Sequence, residues 1–425
     1  MSEATVLHEP NGVARRDLGV SADPFPLSAV TLLPGPLHDH MSRTHAKLKS
    51  LDPDRLLHTF RRNAGLPSEM VPCTGWESPA AEQRGHTTGH VLTALAQAFA
   101  TTGDRAFSVR AHYLVDQLAL CQDRARFAGF STGYLSAFPE GFIGRLEAGE
   151  PVQAPYGTLH KIMAGLLDVH LLVGGTRALT VLTRMAAWVG WRIGRLSQAH
   201  RHTVLATEFG GMNEVLANLY QATGDPAHLT TARYFDHAYA RLPAALGAIR
   251  LYHATGETRY RDIAVHCWEN AADECRCSTH DLRKLTHQLF RGDPGQIRYF
   301  DYYEQSLNDR EPDTRDDFSC CYGTGMATEH RDSIYFHAGN VLYVNLFVPS
   351  VLSWAGRGVL VRQDPATRLT ITGSGWIDLR VRVPSWAQGA VLRVNGVAEQ
   401  PVTAGTYARV DRHWVSGDVV DLSLP

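Results

Sequence analysis

His90-Val91-Leu92-Thr93-Ala94-Leu95-Ala96-Gln97-Ala98-Phe99-Ala100 carries its apolar residues at three- and four-residue spacing and runs into Thr102-Gly103-Asp104. That spacing is one face of an α-helix. Gly103 suits the C-cap that stops it, and Asp104 suits the cap that opens the next. The arrangement recurs downstream. Ile162–Leu172 leads to Gly174-Gly175-Thr176, Val215–Tyr220 to Thr223-Gly224-Asp225, Leu246–Tyr252 to Thr255-Gly256-Glu257, and Leu282–Phe290 to Arg291-Gly292-Asp293. An aromatic residue or Leu usually follows shortly after, at Phe107, Leu179, Leu229 and Tyr260. Five such hairpins predict about ten helices between residues 40 and 335. Their spacing is irregular: Gly103 to Gly175 is 72 positions, Gly224 to Gly256 only 32. A strict solenoid is therefore excluded, and a closed toroid of helical hairpins with long functional loops is expected.

After about residue 340 the apolar period becomes two. Val341–Val348, Arg368–Thr372, Ile377–Val383, Ala390–Val394 and Val419–Leu424 read as strands, with Asn395-Gly396 as a hairpin turn. The fold class expected is mostly α with a C-terminal all-β region. A flexible tail is expected over 1–23, a helical domain over 24–338, and a β-sandwich over 339–425.

The 425 residues allow two or three domains, and 44% apolar content supports large cores. Lys plus Arg is 41 against 43 Asp plus Glu, so no basic footprint for nucleic acid is present. No run approaches 18 apolar residues, so no membrane span is expected. Seven cysteines, an odd number, with no signal-peptide pattern point to reduced thiols and a cytoplasmic location.

Four of those cysteines form two tight pairs, Cys275-x-Cys277 and Cys320-Cys321. Four thiolates can close a tetrahedral zinc site, and Glu274 places a carboxylate beside the first pair. The plainer alternative is four buried thiols that are neighbours by chance. His86 and His90, four apart, share one helix face and suit substrate contact better than metal. Tyr156–Lys161 and Glu208–Glu214 place polar side chains at helix starts, where a sugar-sized ligand could sit. Ordinary capping is the alternative for Glu208 and Asn213.

These residues carry a resemblance. Gly75-Trp76-Glu77-Ser78-Pro79, Arg84-Gly85-His86, Thr158-Leu159-His160-Lys161, Gly210-Gly211-Met212-Asn213-Glu214, Cys320-Cys321-x-Gly323-Thr324-Gly325-Met326 and Asp332-Ser333-Ile334-Tyr335-Phe336 together resemble the β-L-arabinofuranosidase family of glycoside hydrolases, over nearly the whole chain from about Pro24. The resemblance implies an (α/α)6 barrel followed by a β-sandwich. It implies a retaining glycosidase in which a zinc-bound cysteine thiolate attacks the anomeric carbon while a Glu protonates the leaving oxygen. Carried over, Cys320 is nucleophile and ligand, and Cys277 and Cys321 are ligands. His86, His160, Lys161, Asn213, Glu214 and His237 are the implied substrate contacts.

Three departures bear on activity. Cys275 stands where the family's Glu-x-Cys motif has its Glu, so Cys275 or Glu274 completes the zinc set. The long segment carrying the family's acid/base is replaced by Trp268–Asp273 running straight into the cysteines, leaving Glu269, Asp273 and Glu274 nearby, with Glu274 the candidate proton donor. The segment lining the sugar site is shortened to His237–Pro243, where only His237, Ala238 and Pro243 match. The expected partner is a small carbohydrate or glycoside, with neither nucleic acid nor membrane, and a homodimer is left open. The alternative is a catalytically impaired, sugar-binding or metal-stabilised descendant of the family.

Overall fold

The structure, a computed structural model, describes residues 15–208, 211–236, 242–271, 279–308, 330–365, 367–398 and 402–425. The described residues fall into two compact units. One takes in 15–19 and 44–281, the other 20–43, 282–308 and 330–425.

The helices are α1 (Pro36–Ser50), α2 (Pro53–Asn63), α3 (His86–Thr102), α4 (Arg105–Ala125), α5 (Gly141–Glu147), α6 (Pro155–Asp168), α7 (Thr176–Gly194), α8 (Gln198–Thr207), α9 (Met212–Thr223), α10 (Pro226–Tyr234), α11 (Leu242–Thr255), α12 (Thr258–Asn270), α13 (Thr279–Gly292) and α14 (Arg298–Asn308). The predicted Gly turns join α3 to α4, α9 to α10 and α11 to α12, with Gly103, Gly224 and Gly256 at φ 68°, 73° and 74°. Asp104 and Asp225 then cap the following helices by accepting the N–H of Ala106 and Ala227, each at 2.9 Å. The fifth turn differs: Gly292 is the last residue of α13 itself.

Burial sorts the helices of the first unit into two kinds. On α6, Tyr156, Thr158, Leu159, His160, Ile162, Met163, Gly165, Leu166 and Leu167 are all buried, which leaves little of its surface to water. α3, α9 and α11 are similarly buried. In contrast, α4 buries a stripe, Phe107, Ala111, Leu114, Val115 and Leu118, as does α7 with Ala178, Val181, Leu182, Met185 and Val189. A helix apolar all round is an inner helix, and a striped one faces water on its other side. Residues 15–19, read as flexible from sequence, pack on α9 and α11. Leu18 N–H donates to His253 O at 2.7 Å, and Asp17 pairs with Arg250 at 2.9 Å, both side chains almost fully buried.

The second unit holds two sheets. Its strands are β1 (Asp23–Pro24), β2 (Val30–Leu32), β3 (Tyr335–Ala338), β4 (Val341–Val344), β5 (Ser350–Trp354), β6 (Val359–Gln363), β7 (Arg368–Thr372), β8 (Gly375–Val383), β9 (Val391–Val394), β10 (Val397–Ala398), β11 (Thr406–Trp414) and β12 (Val419–Ser423). One sheet runs β1-β3-β4-β8-β11, the other β10-β9-β12-β7-β6-β5-β2. Asn395-Gly396 turns β9 into β10 with positive φ at both residues, as a primed hairpin turn requires. The β material does not lie wholly after residue 338, because β1 pairs with β3 and β2 with β5. Both are two- or three-residue strands, too short to show a period of two in sequence.

Candidate active site

The inner helices α3, α6, α9 and α11 line up in one direction. Thr93 bonds Asp168 at 2.6 Å, while one turn earlier Gly89 lies against Lys161. Between α6 and α9, Gly157 N–H donates to Glu208 at 3.1 Å, and His160 meets Glu214 at 3.4 Å. Between α9 and α11, Asn213 packs on Gly247, and Asn218 accepts from Arg250 at 2.6 Å. At each interface the residue numbers rise together, so neighbouring helices are parallel and their N-terminal ends lie on one side. Partial positive charge from four helix starts is thereby gathered on that side.

Two glycines permit this approach. A Cβ on Gly89 would stand 2.3 Å from the carbonyl carbon of Lys161, and one on Gly247 would stand 1.9 Å from Cγ of Asn213. Without a Cβ, Gly89 lets the backbones of α3 and α6 touch, and Gly247 leaves room for the Asn213 side chain. The closeness of α3 and α6 sets His86 and His90 beside His160 and Lys161.

Glu77 positions the start of α3. Its buried carboxylate accepts from Gly85 N–H at 2.8 Å, Thr87 N–H at 2.6 Å and Thr88 N–H at 3.3 Å. Burial pushes its carboxyl above the usual range, opposed by those three backbone donors. Trp76 packs edge-on against His86, with ring centroids 5.4 Å apart. Arg84 is committed to the loop: it donates to Ala137 O at 2.9 Å and Ala81 O at 2.6 Å.

His86 and His90 face each other through their Nε2 atoms at 3.2 Å. Burial, then the Lys161 ammonium and His160, holds His86 down at about 3, against a small opposing pull from Asp281. His90 is held well below its ordinary value by burial first, then by Lys161, His86, His280 and His160. The pair is therefore uncharged at neutral pH. One ring donates to the other through these nitrogens. His160 and Glu214 are both buried, with the histidine Nε2 at 3.4 Å from the carboxylate.

Of the predicted contacts, the structure groups His86, His160, Lys161 and Glu214. Asn213 belongs to the helix packing: its Oδ1 accepts from Glu214 N–H at 3.1 Å and its Nδ2 donates to Ala244 O at 3.5 Å. Glu208 acts as a cap for the start of α6. His237, Glu274, Cys275, Cys277, Cys320 and Cys321 lie outside the described residues. Among the described residues, no group of three or more His, Cys, Asp or Glu side chains is arranged to hold a metal. Of the described cysteines, Cys121 and Cys267 are buried and Cys73 is half-buried, and burial pushes the Cys121 thiol up to about 12. Sequence reasoning missed Glu77 as the cap and missed His280 and Asp281 as neighbours of the histidine pair. No local pattern marks the last two, which are some 190 positions from His86.

Among the described residues no helix is long and apolar enough to cross a membrane. No curated protein sequence matches the chain. Solved structures do. A GH127 β-arabinofuranosidase matches with TM-score 0.75 at 15% identity, covering 96% of this chain and 81% of that one. A GH127 β-L-arabinofuranosidase from Geobacillus stearothermophilus T6 matches with TM-score 0.71 at 16% identity, covering 93% and 81%. A further glycoside hydrolase matches with TM-score 0.65 at 15% identity, covering 95% and 78%. At such identities these likenesses establish the fold. Family models match along the sequence: the β-L-arabinofuranosidase GH127 catalytic domain over residues 29–248 and the GH127 middle domain over 341–425. Together these matches span most of the chain, which belongs to the GH127 β-L-arabinofuranosidase family of glycoside hydrolases.

Proposed function

We propose that this chain is a retaining glycosidase that releases L-arabinofuranose, or a related sugar, from a small glycoside. The observation that carries this is the uncharged His86–His90 pair beside Lys161 and the His160–Glu214 pair, at the joined N-terminal ends of parallel helices. Neutral imidazoles, a carboxylate and an ammonium supply both donors and acceptors to a polyhydroxyl ring. The helices would close as an (α/α)6 barrel with that face as the sugar site, and His237 would extend it.

In this reading the Cys320 sulfur displaces the glycosidic oxygen at the anomeric carbon. A carboxyl group, Glu274 in the first instance, gives its proton to the departing oxygen. Water then displaces the sulfur from the opposite side, and the carboxylate takes the water's proton, so two inversions give net retention. The donor set suits zinc, with Cys277, Cys320 and Cys321 and either Cys275 or Glu274 as ligands. When bound, the ion would keep the thiol ionised at neutral pH. The odd cysteine count fits a reducing, cytoplasmic compartment. A homodimer is part of the same reading and is checked by mass in solution.

One observation favours the second reading, a sugar-binding or metal-stabilised scaffold. α12 ends at Asn270, so only Ala271 to Glu274 separate it from Cys275. That leaves little chain for the segment on which the resemblance places the acid. A general acid contributes about 10²- to 10⁴-fold. The test is turnover of an aryl and an alkyl β-L-arabinofuranoside, with zinc content measured on the same preparation. Turnover of the aryl substrate that Cys320→Ser abolishes supports the glycosidase. Turnover of the aryl substrate alone places the defect in proton donation. Zinc-loaded protein inert toward both substrates defeats the glycosidase and leaves the scaffold.

A further inference from the structure

Side chains on one face of β8 and β11 form a connected row, buried at Asp378 and Arg382 and exposed at Trp376, Arg409, Asp411 and His413. On β8, Ile377, Leu379, Val381 and Val383 are buried in the core, so Trp376, Asp378, Arg380 and Arg382 take the opposite face. The register places His413 opposite Trp376, Asp411 opposite Asp378, and Arg409 opposite Arg380. Trp376 Nε1–H donates diagonally to Asp411 at 2.7 Å. Arg409 bridges Asp411 and Asp378 at 3.0 and 2.9 Å. Asp378 also accepts from Arg380 at 3.0 Å, and Arg380 donates to the Tyr343 hydroxyl on β4 at 3.0 Å. The row is thus one hydrogen-bonded chain across three strands, with an indole at its end.

Trp376 is 55% exposed although its polar atom is already satisfied. The Asp411 bond limits rotation of the ring, so little entropy remains to be lost when something lies against it. Beside it Asp411, Arg409 and His413 are exposed. Two carboxylates, Asp378 and Asp411, balance two guanidinium groups, Arg380 and Arg409, while Arg382 on the same face is fully buried and paired with Asp301 and Glu304. A balanced row has no net attraction for a polyanion or an anionic membrane. It matches a neutral ligand with an apolar face for the indole and hydroxyl groups for the planar polar groups. A sugar ring has both.

We propose that this face, centred on Trp376 with Asp411, Arg409 and His413, is a carbohydrate-binding surface for neutral glycan chains. It uses none of the residues assigned to sugar cleavage. The proposal draws on the glycosidase family only for the class of ligand, and its test does not need turnover.

The test is affinity gel electrophoresis of the full chain in gels containing arabinan, with a second series containing a neutral β-glucan. Wild type is expected to be retarded in at least one series. Trp376→Ala should weaken the apparent affinity about tenfold or more, and Asp411→Leu should weaken it by less. Trp386→Ala, at another exposed tryptophan, should match wild type. Unchanged thermal unfolding of Trp376→Ala confirms that the fold is intact. Wild type unretarded in both gels, or Trp376→Ala retarded as strongly as wild type, overturns the proposal. A shift of Trp376→Ala from dimer to monomer also overturns it, by assigning the face to a second copy of the chain. Retardation lost in Trp376→Ala by a protein that cleaves no glycoside would uphold this surface while the proposed hydrolysis fails.

Discussion

Nε2 of His86 lies 3.2 Å from Nε2 of His90, one turn along the same helix. A hydrogen bond at that distance needs one ring to donate and the other to accept, so the two imidazoles hold opposite tautomers. Protonating both would set N–H against N–H. The packing of α3 on α6 and the nearby Lys161 charge keep the pair neutral.

This neutrality makes stability sensitive to mild acid. His86 and His287 are each held at about 3 by burial and neighbouring cations, and His90 is also held down. Each lies below its unfolded value near 6.5, so the unfolded chain takes up protons first. Their contribution is complete above about pH 6.5 and is lost as pH falls toward 3. Each histidine can add a slope of up to about 1.4 kcal/mol per pH unit in that window. Denaturant unfolding between pH 7 and 5 should show the decline, and His287→Phe should lessen it. A curve flat from pH 6.5 to 5 would contradict this account.

The backbone contact at Gly89 should not tolerate a methyl group. Gly89→Ala places Cβ 2.3 Å from a backbone carbon of α6, where no flexible side chain can yield. Overpacking of this kind costs about 1–3 kcal/mol or more. Gly141→Ala, with nothing within 4 Å, serves as the matched control. Equal melting temperatures for the two variants would show that α3 and α6 can separate without cost.

Glu77 should matter for the geometry of the site more than its place in a loop suggests. Glu77→Ala strips three buried backbone donors of their acceptor. A loss of about 1–3 kcal/mol is expected, with weakened sugar binding as the start of α3 shifts. Glu77→Gln keeps one acceptor oxygen and should retain more stability than Glu77→Ala. Calorimetric melting of the three proteins checks the order.

Asp17 should prove to be part of the folded unit. Asp17→Ala leaves the Arg250 guanidinium buried without its carboxylate, although Asn218 and Gln221 still accept from it. Breaking a buried pair costs about 3–5 kcal/mol, and the remaining acceptors place the expected loss near the lower end. Removing residues 1–19 should destabilise the protein at least as much. A truncated chain as stable as the whole would show that this arm contributes nothing.

Local sequence patterns specify the class of each half and most of its punctuation. Helical spacing and Gly turns are local, so α3, α9 and α11 ended at Thr102, Thr223 and Thr255, directly before the glycines that signalled them. β7 matched its expected span, Arg368–Thr372. The motifs around His86, His160 and Glu214 were also legible as polar residues at helix starts. Which of them meet depends on how the helices pack. His86 and His160 are neighbours because Gly89 lets α3 touch α6, and that approach depends on two segments some 70 positions apart. Asn213 reads like a sugar ligand in its motif, yet its amide is held by Ala244 and the space above Gly247. Asp17 sits in a segment with no periodic pattern, and only Arg250, 233 positions away, gives it a buried place. Local patterns report the conformation of a stretch of chain, whereas a side chain's charge state and role depend on what the fold packs against it.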